Sequence, residues 1–194
     1  MLTQAITMPN PEADPFDGIL LYTIKRSGTL PGKKVIQKLV YFLKEAGLPV
    51  RFRFRWDKWG PYSQELAYYI DDLVAEGLIK STPTPAPFSR EGTSGVQYNY
   101  SLASKGNDTV PKLTPSNEEV DKVSRILKLA KEVSWQNLEL YASVHYLVKY
   151  YSTRSDKIAL PEGLDDLMEV YKPGRFSSQD VRAVYYVLKD HGLL

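Results

Sequence analysis

The 194-residue chain is predicted to be mainly α-helical with a small β hairpin, arranged as a winged-helix-like N-terminal lobe and a C-terminal helical lobe. Three observations predict this class. Apolar residues recur at helical spacing through most of the chain. Two β-like segments flank a turn-rich insert after the third predicted helix, and the whole second half has a helical pattern. Hydrophobic residues make up 43% and charged residues 25%, which excludes a disordered or fibrous chain.

The first elements are two helices and a strand. A short helix is predicted over 16–27, and the segment 33–46 places its apolar side chains on one stripe before Gly47 ends it. The lysines of this second helix are therefore expected on the opposite side, facing water. The segment 50–56 alternates between arginine and aromatic side chains after Val50, which predicts a half-buried strand.

A third helix and a hairpin follow the strand. We expect Gly60-Pro61 to form the turn into a helix over 62–77, with Pro61 at the first helical position. Two β-like segments between 79 and 103 flank an insert rich in Pro, Gly and Ser, so the 81–95 region is predicted to be a loop at a hairpin tip. This order of elements is that of a winged helix, a three-helix core with a two-stranded wing.

The domain boundary is placed in the segment 105–115, whose composition is typical of a linker. It divides the chain into a winged-helix-like domain, 1–110, and a helical domain, 114–194. Polar side chains that cap helix N-termini predict four helices in the second domain. The predicted starts are Ser116 with Glu119, then Ser134, then Pro161, then Ser177 with Asp180, and the last helix ends at Gly192.

The net charge of +2 hides a local concentration of positive charge. Residues 25–58 contain ten basic and two acidic side chains, whereas residues 59–79 contain four acidic side chains and no basic one. In a DNA-reading winged helix the third helix enters the major groove, where phosphates repel acidic residues. The acidic helix 62–77 therefore argues against the usual docking. The candidate contacts for nucleic acid or for an acidic partner are Lys33, Lys34, Lys38, Arg51, Arg53, Arg55 and Lys58.

Two other interpretations of this basic segment stay open. The arginines of the strand could pair with the acids of the next helix, or they could keep an edge strand soluble. An acidic protein would fit the same stripe as well as a phosphate backbone does. A partner surface for protein is expected around Tyr62, Gln64 and Tyr68, because exposed tyrosines favour binding surfaces. The alternative for the many tyrosines is a tyrosine-rich core.

The residue inventory predicts a protein that is not an enzyme. There is no cysteine, and the two histidines, His145 and His191, have no acid or nucleophile partner at a recognisable spacing. His145 lies in a mostly apolar helix, where a hydrogen-bonded core histidine is expected. No phosphate-binding glycine loop precedes a helix. We therefore expect no catalytic site, no metal and no cofactor.

A resemblance to a known family rests on two stretches. Lys34, Gln37, Lys38, Leu39 and Tyr41, followed by Trp59-Gly60-Pro61-Tyr62-Ser63-Gln64-Glu65-Leu66, resemble the KLQKL-Y and YGP-S-EL signature of small bacterial and archaeal proteins. These are the YwgA-like predicted regulators and, more distantly, the Panacea domains of SocA-type antitoxins. This chain departs from many relatives in having Trp59 where they have tyrosine.

The resemblance implies a non-enzymatic helical protein with a winged-helix-like element. The YwgA side implies a predicted regulatory role, and the Panacea side implies neutralisation of a toxin through protein contacts. Together with the basic face, this favours a DNA-contacting transcriptional regulator; the alternative is an antitoxin-like or adaptor module that binds a toxin or a regulatory protein and does not contact DNA. Winged helices often pair, so a homodimer is compatible with the sequence. No signal sequence and no apolar run of about 18 residues is seen, so we expect a cytoplasmic protein with no membrane partner.

Overall fold

The computed structural model describes residues 15–85, 95–113, 115–152 and 160–194. These residues form eight helices and five short strands, which confirms the mainly α class with a small hairpin. The helices are α1 (Pro15–Ser27), α2 (Lys33–Glu45), α3 (Gln64–Ala75), α4 (Ser104–Thr109), α5 (Asn117–Val133), α6 (Leu138–Ser152), α7 (Leu164–Tyr171) and α8 (Ser178–Asp190). The strands are β1 (Leu30–Pro31), β2 (Arg55–Asp57), β3 (Gly60–Tyr62), β4 (Ile79–Pro85) and β5 (Val96–Leu102).

The strands form two antiparallel sheets. In the larger sheet the order is β1-β5-β4, so the short strand between α1 and α2 extends the predicted hairpin. Ile79 lies opposite Leu102, and the pairing continues to Pro85 opposite Val96. Residues 81–85 of the predicted loop are therefore strand. The pairing of β4 with β5 continues further into the proline-rich segment than its sequence suggests. Residues 86–94 of that loop lie outside the described residues.

The smaller sheet, β2 with β3, places the signature residues Gly60 and Pro61 in a strand. Pro61 lies opposite Trp56, and α3 begins at Gln64 with Ser63 as its cap. The prediction of Pro61 at the first helical position was wrong, because the backbone of this segment pairs with β2 instead. The faces predicted for 50–56 are right: Phe52 is buried and the arginines are exposed, although only Arg55–Asp57 pairs as strand.

The second half follows its capping signals with two exceptions. Ser116 and Glu119 form the predicted capping box, and Ser177 caps α8 by accepting a hydrogen bond from the Asp180 N–H. Ser134 ends α5 with a φ of 67° and does not cap the next helix, which begins at Leu138. A turn likewise separates Pro161 from α7. The predicted linker also contains helix, namely α4 and a 3-10 turn over Val110–Lys112.

The apolar core is continuous across the predicted domain boundary. Helix α2 is buried on nearly all sides and packs against both α5 and α6, while β3 packs against α6. Buried side chains such as Val40 of α2, Leu127 of α5 and Val144 of α6 belong to one cluster. The division into 1–110 and 114–194 stays a prediction, but the two parts share a core. No helix within the described ranges has both the length and the apolar character needed to cross a bilayer.

Gly60 marks the closest approach of the small sheet to α6. Its φ is +81°, which favours glycine, and a Cβ at this position would lie 2.5 Å from the Ser143 Oγ. That oxygen is held in place because it donates a hydrogen bond to the Glu139 backbone oxygen at 2.7 Å. Gly60 is therefore required both by its backbone conformation and by the space available.

Gly60→Ala should destabilise the protein by about 2–4 kcal/mol, from the strained φ and from overpacking against Ser143. Gly77→Ala is the matched control, because Gly77 has a φ of +72° with nothing within 4 Å of its Cβ position. That change should cost only about 1–2 kcal/mol. Urea unfolding measures both. Adding Ser143→Ala to Gly60→Ala should recover part of the loss, and an equal cost at the two glycines would contradict the packing argument.

Candidate functional site

A buried carboxylate on α6 organises the centre of the molecule. Glu139 is 4% exposed, and three cationic side chains bind it. Lys172 Nζ lies 2.7 Å and Arg175 Nε 2.9 Å from Oε1, while Lys34 Nζ lies 3.0 Å from Oε2. Burial acts to raise the pKa of Glu139, but the hydrogen bonds from Lys172 and Lys34 outweigh it, so the pKa lies below its usual range. The ion cluster ties α2, α6 and the segment after α7 together.

Lys38 is not part of any exposed basic face. Its side chain is 1% exposed, and its Nζ donates a hydrogen bond to the Pro61 carbonyl oxygen at 2.5 Å. The prediction that Lys38 faces water was wrong, because both α6 and β3 cover this side of α2. Burial lowers the pKa of Lys38 to about 7, with Glu139 acting in the opposite direction. Lys38 is therefore withdrawn from the candidate contacts.

The signature residues mostly hold the small sheet in place. Gln37 donates from Nε2 to the Ser63 carbonyl oxygen at 2.8 Å, and its Oε1 accepts from the Ser63 N–H at 2.9 Å. Together with the Lys38–Pro61 bond, these contacts fix the strand that precedes α3. The amide of Gln37 satisfies both backbone groups of one buried residue, which a shorter or charged side chain would not do. The signature thus has a structural explanation.

The first two lysines of α2 each have a carboxylate partner. Lys33 Nζ lies 2.5 Å from Asp71 Oδ1 on α3, and Lys34 binds Glu139 as described above. The Lys33–Asp71 pair joins the first residue of α2, in the predicted basic segment, to the acidic third helix. Part of the excess of positive charge in residues 25–58 is therefore neutralised within the fold.

The arginines of the 50–56 segment remain on the surface. Arg51, Arg53 and Arg55 are all exposed. The Arg51 guanidinium lies 4.9 Å from the ring centroids of Phe52 and Tyr69. Among the described residues, no carboxylate lies within ion-pair distance of the Arg53 or Arg55 guanidinium, and Glu65 contacts only the backbone N–H of Arg53, at 3.4 Å. We call Arg51, Arg53 and Arg55 the arginine edge.

Two grooves flank the arginine edge. One, of about 410 Å³, lies between Arg53, Arg55 and the aromatic side of α6, where the Tyr146 and Tyr150 rings stack with an interplanar angle of 10°. The other, of about 430 Å³, lies toward the start of α3. The lining of the second groove includes Arg53, Arg55, Trp56, Asp57, Tyr62, Gln64 and Glu65. The edge thus has an aromatic groove on one side and a polar groove on the other.

The predicted protein-binding residues are divided between two environments. Tyr68 is 64% exposed on α3, and Gln64 of the same helix is also exposed. Tyr62 is half-buried, and burial raises its pKa above the usual range, with Lys33 acting in the opposite direction. The exposed side of α3 also carries Glu65 and Asp72, so the surface around Tyr68 is acidic.

Lys58, one of the predicted contacts, is exposed, and its Nζ lies 5.0 Å from the centroid of the Trp59 ring, where Arg175 and Lys34 also lie. Three residues of the ion cluster escaped the sequence analysis, namely Glu139, Lys172 and Arg175. Glu139 could have been noticed, because a carboxylate inside an otherwise apolar helix must find a partner when it is buried. No local pattern points to Lys172 or Arg175, which meet Glu139 only after the chain has folded.

His145 is a core histidine, as predicted. Its Nδ1 lies 2.7 Å from the Tyr41 hydroxyl and its Nε2 lies 2.9 Å from the Leu193 carbonyl oxygen. A carbonyl can only accept, so Nε2 donates and Nδ1 accepts from Tyr41 in the neutral ring. Burial lowers the pKa of His145 below its usual range. Within the ranges that the structure describes, no three His, Asp or Glu side chains gather at a spacing that would hold a metal ion.

Fold and surface together define a mainly α protein with a small sheet, a buried ion cluster and an exposed arginine edge. The chain is similar to the uncharacterized protein YwgA of Bacillus subtilis (strain 168), with 30% identity over 89 residues. The aligned part is 45% of this chain and 49% of YwgA, so the chain matches about half the length of that curated relative. No model of a known protein family matches the chain. The YwgA part of the resemblance is thus supported, and its regulator and Panacea parts stay predictions.

Glu139→Gln should destabilise the protein by about 3–5 kcal/mol, because Lys172 would be left buried without a counter-charge. Asp71→Asn, which breaks the partly exposed pair with Lys33, should cost no more than about 1 kcal/mol. Urea unfolding compares the two changes. The double variant Glu139→Gln with Lys172→Met should be more stable than Glu139→Gln alone. Similar costs for the buried and the exposed pair would contradict the role given to Glu139.

The stability of the protein should fall in mild acid because of His145. Its pKa is lower in the folded than in the unfolded state, so its contribution is complete above the unfolded value, about 6.5, and is lost as the pH falls below it. Between pH 7 and pH 5 the loss should be about 1–2 kcal/mol greater in the wild type than in His145→Gln. Denaturant unfolding at several pH values measures this difference, and parallel profiles would exclude it.

Proposed function

We propose that the protein is a non-enzymatic regulator that binds nucleic acid through the arginine edge. In this proposal residues 15–102 act as a winged-helix-like lobe, with β4 and β5 as the wing. The succession of α1, β1, α2, α3 and the hairpin supports it, as does the pairing of β1 with β5. The proposed setting is the cytoplasm, in keeping with a chain that has no cysteine.

The observation that carries the proposal is the exposure of the Arg53 and Arg55 guanidinium groups. Both are exposed, and among the described residues neither guanidinium has a carboxylate partner. Two residues along an extended segment span about 6.8 Å and return to the same face. The arginines can therefore contact successive phosphates of one strand, each as a planar donor that suits a phosphate group.

The proposed mode differs from major-groove reading by the third helix. Helix α3 and its C-cap residue expose Glu65, Asp72 and Glu76, which a phosphate backbone would repel. The groove beside the arginine edge offers instead the stacked rings of Tyr146 and Tyr150. Affinity would come from phosphate contacts, and aromatic contacts would add to it.

A protein-binding module is the second candidate, and Tyr68 favours it. This tyrosine is 64% exposed on an acidic helix beside Gln64, an arrangement that suits a basic protein partner. The resemblance to Panacea-type antitoxins points the same way and makes a toxin or regulatory protein the candidate partner. Here the arginine edge would have no nucleic-acid role.

Arg53→Gln and Arg55→Gln should each weaken binding to a labelled oligonucleotide and reduce the slope of log affinity against log salt by about 1. Arg125→Gln is the matched control, since Arg125 is an exposed arginine on α5 that lines neither groove of the arginine edge. Fluorescence anisotropy between about 50 and 200 mM salt, on duplex and single-stranded probes, measures both quantities. No binding at about 50 mM salt, or equal losses in all three variants, would overturn the proposal in favour of the protein-binding module.

A further inference from the structure

Trp59 lies in the turn between β2 and β3, and three cationic side chains lie close to its indole ring. The ring is 37% exposed. Arg175 Cζ lies 4.6 Å, Lys34 Nζ 4.8 Å and Lys58 Nζ 5.0 Å from its centroid. These residues come from three separate parts of the chain, α2, the turn itself and the segment after α7. We call Trp59, Lys34, Lys58 and Arg175 the Trp59 cradle.

Basic side chains outnumber carboxylates in the Trp59 cradle and among the buried residues beneath it. Glu139 is the carboxylate that binds Lys34 and Arg175, and it also binds the buried Lys172. The charges of Glu139 and Lys172 both act on the pKa of Lys38, Glu139 by raising it and Lys172 by lowering it. Asp57 is the other acid that raises it. Burial lowers the pKa of Lys172, and the charges of Arg175 and Lys34 add to this effect, whereas the hydrogen bond that Lys172 donates to Glu139 acts against it. Positive charge is in excess here.

The cradle cations keep hydrogen-bonding capacity that faces solvent. The Lys34 and Arg175 side chains are 46% and 38% exposed. Arg175 uses Nε and Nη2 for Glu139, which leaves other N–H groups of the guanidinium to donate, and Lys34 has three donors of which Glu139 takes one. Lys58 is exposed beside them. An anion could thus receive hydrogen bonds from all three without displacing Glu139.

We propose that the Trp59 cradle is a binding site for a phosphate dianion, either free phosphate or a phosphomonoester group. Three cations crowded around one ring repel one another, and a dianion relieves this repulsion about twice as well as a monoanion. Cation–π contacts with Trp59 hold the cations in position before the anion arrives. The cradle shares no residue with the arginine edge.

The test is a titration of the full chain with inorganic phosphate at constant ionic strength, followed by the tryptophan fluorescence and by calorimetry. We expect a saturable change with a midpoint near about 1 mM, as for a small anion held by a few charged hydrogen bonds. Arg175→Gln and Lys58→Gln should each weaken binding about tenfold. Lys58 does not touch Glu139, so its replacement leaves the ion cluster intact. The fluorescence change should be absent in Trp59→Phe.

Two controls separate this proposal from the nucleic-acid function. Arg53→Gln and Arg125→Gln should bind phosphate as the wild type does. If the protein binds phosphate but no oligonucleotide, the phosphate site is supported and the nucleic-acid function is not. Equal effects of Arg125→Gln and Arg175→Gln, or a signal that does not saturate, would overturn it.

Further ligands identify the source of the phosphate group. Adenosine monophosphate that binds more tightly than phosphate would identify a phosphomonoester, whereas equal affinities would identify the phosphate group alone. Dimethyl phosphate, a monoanion, should bind more weakly than either. If dimethyl phosphate binds as well as phosphate, the preference for a dianion is wrong.

Discussion

The burial of the Glu139 carboxylate is the constraint on which the rest of the structure depends. A carboxylate taken out of water must be compensated by opposite charge and by hydrogen bonds. The compensation comes from Lys34 of α2 and from Lys172 and Arg175 after α7, so a single side chain of α6 joins the two halves of the molecule. Because these partners lie far apart in the sequence, the cluster can form only when the N-terminal lobe and the C-terminal helices are packed together.

This constraint also decides which basic residues are available to a partner. Lys38 donates to the Pro61 carbonyl oxygen and is buried, so it serves the fold alone, whereas Lys34 binds Glu139 with one of its three donors and serves the fold in part. The positive surface is narrower than the sequence suggests, and its centre moves from the lysines to Arg53 and Arg55. Elements α6 and β3 pack over α2 and bury Lys38, whereas Arg53 and Arg55 stay exposed.

The small sheet β2–β3 carries both proposed binding surfaces. The arginine edge leads into β2, and the Trp59 cradle occupies the turn that follows it. Contacts of Gly60 with Ser143 and of Gln37 with Ser63 fix the sheet against α6 and α2. A change in any of these buried contacts would therefore shift the arginines and the cradle together, which links the structural signature to the proposed functions. Two signature residues, Lys34 and Trp59, also belong to the cradle itself.

The sequence by itself determined most of the local structure: the helices other than α4, the caps at Ser116 and Ser177, the hairpin, and the alternation of Phe52 with exposed arginines. These features depend on side chains within a few residues of one another, so periodicity and capping patterns are sufficient to predict them. The tertiary structure alone decided the burial of Lys38, the partners of Glu139 and the pairing of Gly60–Tyr62 as a strand. Whether a charged side chain stays in water depends on which distant element covers it, and local patterns contain no information about that packing.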